Sequence, residues 1–164
     1  MSDPNLAVQR QILDLQDDLE RLRKADAGGA TGTFTPAYEG SGGGATWTYS
    51  VATGFYTQSG NRCFFNLTVS TSARAGTPIG NALITGLPFT SVATANSHSP
   101  CAIDTPDSIT LTAGIVQLTA RVPPGQAWIE LVENIGTAPC VSSFLAGTGL
   151  TATATIRVAG HYMI

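Results

Sequence analysis

Charge is what this sequence has least of, and the little it has is unevenly placed. Only 12% of its 164 residues are Asp, Glu, Lys or Arg. Ten of these fall in residues 1–27: Asp3, Arg10, Asp14, Asp17, Asp18, Glu20, Arg21, Arg23, Lys24 and Asp26. Residues 28–164 hold nine, with no lysine among them. A net charge of −3 leaves no basic face to neutralise phosphates, which excludes a nucleic-acid binder. The missing lysine also disqualifies Gly40-Ser41-Gly42-Gly43-Gly44 as a phosphate loop, which needs a following Lys-Ser or Lys-Thr. No apolar run reaches 18 residues, so no membrane-inserted helix is expected. The N-terminus is acidic and helical, not a basic tract before an apolar stretch, so no signal peptide is expected either. Histidine is nearly as scarce. His98 and His161 lack metal-ligand spacing even with Asp104 or Asp107, and neither a metal nor a cofactor is expected.

Cys63, Cys101 and Cys140 are too far apart in sequence for a zinc site. Without an export signal they read as buried free thiols. A Cys101–Cys140 bridge is the alternative, since each cysteine follows a proline, Pro100 or Pro139.

What is present begins with a helix. Asp3-Pro4 offers an N-cap and a first helical residue. Ile12 and Leu19 then occupy heptad position a, and Val8, Leu15 and Leu22 position d. Asn5 also falls at a, where a polar residue fixes register. Leu6 and Leu13 add a second small apolar contact. Asp18 at g and Arg23 at e pair between parallel chains, and Ala27-Gly28-Gly29 is a stop. The pattern reads as a parallel coiled coil about 35 Å long. It is marginal alone, and its heptads do not decide between dimer and trimer. An amphipathic helix packed on its own domain is the alternative.

From Thr33 onward the pattern changes to short β-branched and aromatic runs punctuated by Gly, Pro, Ser and Asn. They cover 46–51, 54–58, 62–70, 108–112, 115–121, 127–132 and 150–164, with Ser59-Gly60-Asn61 as a hairpin turn. With 43% apolar residues the chain has the means to bury a core. The expected fold is mainly β, an antiparallel jelly-roll-like sandwich. It divides into a coiled-coil stalk (1–27), a Gly-rich hinge (28–32) and a head (33–164). So few charges on a β domain suit flanks covered by sister subunits, because monomeric β proteins charge their edges.

The order Gly32-Thr33-Phe34-Thr35-Pro36, Gly54-Phe55-Tyr56-Thr57, Gly60-Asn61-Arg62-Cys63-Phe64-Phe65 and Gly86-Leu87-Pro88-Phe89 resembles the C-terminal head module of trimeric tailed-bacteriophage fibre proteins. Gly160-His161-Tyr162 resembles that module's closing strand. The likeness covers about residues 32–89 and the last ten, and 90–150 lie outside it. It implies a homotrimer in a virion, anchored to other capsid or tail proteins by its N-terminal segment and presenting the head to the host. The very short stalk points to a compact appendage, and a capsid decoration fibre is the alternative. A trimeric signalling ligand of similar shape is a third reading, disfavoured by the absent signal peptide and the Gly-Leu-Pro-Phe motif.

Few residues promise chemistry. Glu130 and Glu133 sit three apart in a strand, so they point to opposite faces rather than flanking one glycosidic bond, and they read as a solvated edge. His161 reads as packed or hydrogen-bonded within the closing strand. Asn66-Leu67-Thr68 matches a glycosylation triplet by coincidence in a Thr-rich strand. No enzymatic activity is expected. What remains is binding of host surface polysaccharide, for which aromatic platforms beside amides and hydroxyls are suited. The candidates are Trp47, Tyr49, Tyr38 and Trp128, with Asn96 and His98 in a polar loop.

Overall fold

The computed structural model describes residues 4–26, 29–104, 106–135 and 142–164. Pro4 opens α1 (Pro4–Asp26), where its missing N–H costs nothing. Neither glycine nor a second proline interrupts the helix. Ile12, Leu13, Leu15 and Leu19 are each exposed by half or more, so no other described residue covers this part of the expected seam. Asn5, Val8 and Leu22 lie on α1, with their side chains outside the described set.

Among the described residues eleven strands follow: β1 (Thr31–Phe34), β2 (Ala37–Gly40), β3 (Ala45–Ser59), β4 (Arg62–Gly76), β5 (Ala82–Thr85), β6 (Ser99–Ile103), β7 (Asp107–Ile109), β8 (Ile115–Val122), β9 (Trp128–Ile135), β10 (Ser142–Phe144) and β11 (Leu150–Met163). β1 starts inside the segment expected to be a hinge, with Gly32 paired to Tyr56. All pairings are antiparallel. They form one sheet in the order β1-β3-β4-β11-β6-β8-β9-β5-β2, with β7 against β11 and β10 against β9. The hydrogen bonding thus joins the strands into a single curled sheet, where the sequence had suggested two packed ones.

The curl follows from a short connection. β1 and β2 are the two ends of the sheet, yet only Thr35 and Pro36 separate them in the chain. β2 is thereby held across β3 and β4. The Tyr38 backbone N–H donates to Tyr49 Oη at 2.8 Å, and Tyr38 Oη donates to the Val69 carbonyl at 3.2 Å.

One core fills the inside of the curl. Cys63, Phe65, Leu67 and Val69 of β4 meet Ile84, Val122, Ile129, Leu131, Ile156, Val158 and Tyr162 there. Strand side chains alternate, so the intervening residues of β4 and β11 face outward. Burial of a large aliphatic or aromatic side chain contributes about 1.5–3 kcal/mol. The Gly60-Asn61 turn joins β3 to β4, with Gly60 at φ +56°, a conformation glycine adopts without strain.

β3 unites the runs 46–51 and 54–58 around an irregularity. Ser50 on β3 and Ser72 on β4 are skipped in the ladder, which passes from Thr48↔Ala73 through Tyr49↔Thr71 to Val51↔Ser70. Such bulges reverse the facing phase. Before Ser50 the odd residue Trp47 points in, and after it the even residues Gly54 and Tyr56 do. The Gly-rich loop after β2 is a brace. Gly42 N–H donates to the Ile79 carbonyl and Ile79 N–H to the Gly43 carbonyl, at 2.9 and 2.8 Å.

Candidate functional site

The outward residues of β3, β4, β11 and β6 build one continuous face. The register sets Phe64 between Thr57 and His161, Asn66 between Phe55 and Ala159, and Thr68 between Thr53 and Arg157. Ala159 is in turn opposite Ala102 on β6. Phe55 is 53% and Phe64 44% exposed, large values for rings in the middle of a sheet. The Phe64 and His161 rings lie 5.5 Å apart and tilted by 33°, so His161 is an exposed outer-face residue rather than a packed one. At Ala102 and Ala159 the side chains shrink to methyl groups, and the surface dips into a depression of about 540 Å³. Asn66, Thr68, Asp104 and Arg157 also line it. A smaller hollow beside it is lined by Phe55, Phe64 and Asn66. Arg157 and Asp104 approach to 3.8 Å with side chains 58% and 75% exposed. That is too long for a hydrogen bond and too solvated to add much stability.

The residues singled out from sequence fall elsewhere, in separate places. Trp47 is 8% exposed, edge-on to Tyr38 at 5.5 Å and under the Arg74 guanidinium at 5.4 Å. Its ring is part of the core, and its buried indole N–H has no acceptor among the described residues. Tyr38 is also buried, and Tyr49 is half-buried with its hydroxyl on the Tyr38 backbone. Asn96 and His98 are exposed in the loop before β6, with Asn96 at φ +64°. Trp128 is half-buried at the start of β9, opposite Thr85.

The fold resembles that of a tailspike. The chain is similar to the Dettilon tailspike protein (gp208), with a TM-score of 0.67 and 26% identity over 82% of this chain. It spans 24% of the length of that protein. No protein family and no curated protein matches the chain.

In this tailspike-like head the motif residues have structural work to do. Tyr162 Oη donates to the Phe89 carbonyl at 3.0 Å and accepts the Phe89 N–H at 3.3 Å. The closing Gly160-His161-Tyr162 thereby pins Gly86-Leu87-Pro88-Phe89. The Phe34 ring lies directly over Gly54, its cross-strand partner, where any side chain would displace it. Burial raises the Tyr162 hydroxyl pKa, and the neighbouring Cys63 thiol adds to the rise.

The carboxylates differ from expectation. Glu130 and Glu133 do occupy opposite faces, but they are not a solvated edge. Glu130 is a cross-strand partner of Arg121, at 2.8 Å from its Nε. Glu133 is 1% exposed and accepts the Thr112 N–H at 2.8 Å and the Thr112 hydroxyl at 2.7 Å. A buried carboxylate needs such donors, and the ordering of the Thr112 loop supplies them. No three His, Cys, Asp or Glu side chains converge to hold a metal among the described residues. Cys63 is buried and Cys101 half-buried, and both are free thiols among the described residues. Cys140, and with it the Cys101–Cys140 alternative, lies outside the described residues.

The exposed rings were missed although the sequence carries a signal for them. Phe64-Phe65 and Phe55-Tyr56 are adjacent aromatic pairs in strands, and period-two alternation must put one of each pair outside.

Proposed function

We propose that this chain is a bacteriophage virion fibre-type protein, a homotrimer held by α1 and by the flanks of its heads, which attaches to host surface glycans. The likeness to the tailspike over 82% of the chain carries the reading. Support comes from α1, where Ile12, Leu15 and Leu19 present an apolar stripe to solvent that sister helices would cover. The same likeness favours a tail-associated appendage over a capsid decoration fibre. Several weak sites on one trimer raise avidity without new contacts.

In this reading the head binds glycans without cleaving them. Glu130 is committed to Arg121, and Glu133 to Thr112 inside the sheet, so the two do not flank an open cleft as a hydrolytic pair would. Light scattering on the full chain is expected to give three chain masses, and a monomeric or dimeric mass would overturn the trimer. Release of reducing ends from host polysaccharide by the purified protein would overturn the non-hydrolytic reading.

A further inference from the structure

We propose that the depression floored by Ala102 and Ala159 is a saccharide-binding site, with Phe55 and Phe64 as its aromatic rim and Asn66, Thr68, Asp104 and Arg157 as its polar groups. The proposal rests on the glycan-attachment reading and places that contact at a site remote from Trp47, Tyr49, Asn96, His98 and Trp128.

A sugar ring has an apolar C–H face and an edge of hydroxyls. The methyl floor and the exposed Phe rings match the first, and the amide, hydroxyl, carboxylate and guanidinium match the second. The volume, about 540 Å³, lies within the range of roughly 300–1,000 Å³ typical of small-molecule sites.

The polar groups are also uncommitted. Elsewhere in the head Arg74 donates to the Leu150 carbonyl at 2.6 Å and Arg121 to Glu130 at 2.8 Å. Among the described residues, the polar contact of Arg157 and Asp104 side chains is their mutual 3.8 Å approach. Asn66 and Thr68 lie on the same face with side chains turned outward. Four hydrogen-bonding side chains thus converge on one hollow without satisfying one another; Asn66, Thr68 and Arg157 stand on paired strands, and Asp104 directly follows β6 with its backbone N–H on the Arg157 carbonyl. Ligand contact therefore needs little ordering of the protein.

Composition distinguishes this from a contact between copies of the chain. The buried centre of a subunit interface is depleted of charge. Here two of the nine charges in residues 28–164, of opposite sign, sit at a single depression. Exposed Phe rings alone would suit either partner, but beside an unpaired amide and a loose ion pair they suit a hydroxyl-rich ligand.

The test uses the full-length protein on an array of bacterial lipopolysaccharide and capsular oligosaccharides. Ala159→Trp fills the floor with a side chain on an exposed position. Asn66→Ala combined with Arg157→Ala removes two polar partners and leaves the floor open. Light-scattering mass and circular dichroism are recorded for each variant. Wild-type binding that falls about tenfold or more in both variants, a change of the size expected for lost desolvated hydrogen bonds, with mass and fold unchanged, supports the site. Wild-type binding that both variants retain overturns the site and leaves the attachment reading intact. No binding of the wild type to any glycan overturns the attachment reading and the site with it. Loss of assembly mass in either variant makes the face a subunit interface and overturns the site.

Discussion

Glu133 shows how much a single residue can organise in a chain with so few charges. Its two short hydrogen bonds fix Thr112, and with it the approach to β8. Glu133→Ala is expected to lower stability by about 2–4 kcal/mol, from two lost charge-assisted bonds and a cavity. Glu133→Gln keeps the shape and an acceptor for the Thr112 N–H, and is expected to cost about 1 kcal/mol or less. Urea denaturation of both variants checks this, and equal losses would remove the hydrogen-bonding account. Ionisation of buried acids is a second effect at this scale. Burial pushes the Cys101 thiol up to about 12 and raises Cys63. The phenols of Tyr38, Tyr49 and Tyr162 are raised too, each chiefly by burial. The folded state therefore holds protons that the unfolded chain releases from about pH 9 upward. Stability is fully present below that pH and is expected to fall as pH rises from 9 towards 12. Denaturation midpoints that stay flat between pH 8 and 11 would contradict the burial of these groups.

Elements in this protein are shaped as much by interruptions as by regular pattern. A strict period of two through β3 would have put Val51 and Phe55 inside, and the bulge at Ser50 puts Tyr56 inside instead. That reversal is what leaves Phe55 on the outer face. The helix poses the opposite case, a regular stripe with nothing described to pack on. Ile12→Asp combined with Leu19→Asp places charges where the apolar stripe meets sister helices. This double variant is expected to weaken self-association at least about 100-fold by analytical ultracentrifugation, equivalent to roughly 2.7 kcal/mol. The β signal in circular dichroism is expected to persist. An unchanged mass would show that α1 does not hold the oligomer.

Across the whole molecule, the latest strand in the chain sits in the middle of the sheet. β11 pairs with both β4 and β6, so the curl closes only when residues 150–163 are in place. Most of the pairing joins residues distant in sequence, which makes folding slow relative to helical proteins. Truncation before Arg157 would remove Val158 and Tyr162 from the core and strip seven of the nine residue pairs that β11 makes with β4. The truncated chain is expected to show no cooperative thermal unfolding. A sharp melt would mean that the rest of the sheet is stable without its central strand.

How far all this was legible varies with the range of the physics involved. By itself the sequence determined the helix of residues 4–26, the β character of the rest, the Gly60-Asn61 turn and the resemblance to fibre heads. Each depends on local periodicity, on turn chemistry or on a motif order carried by neighbours in the chain. It also placed Glu130 and Glu133 on opposite faces, because alternation is local. Tertiary structure alone decided that Glu133 is buried on Thr112, that Trp47 and Tyr38 serve the core, and that the sheet is one curled surface. Those outcomes depend on which strands pair, and strand pairing brings together residues far apart in the chain. The scarcity of charge in residues 28–164 was plain in the composition. That Asp104 and Arg157 meet across a hollow with Asn66 required β4, β11 and β6 to lie side by side.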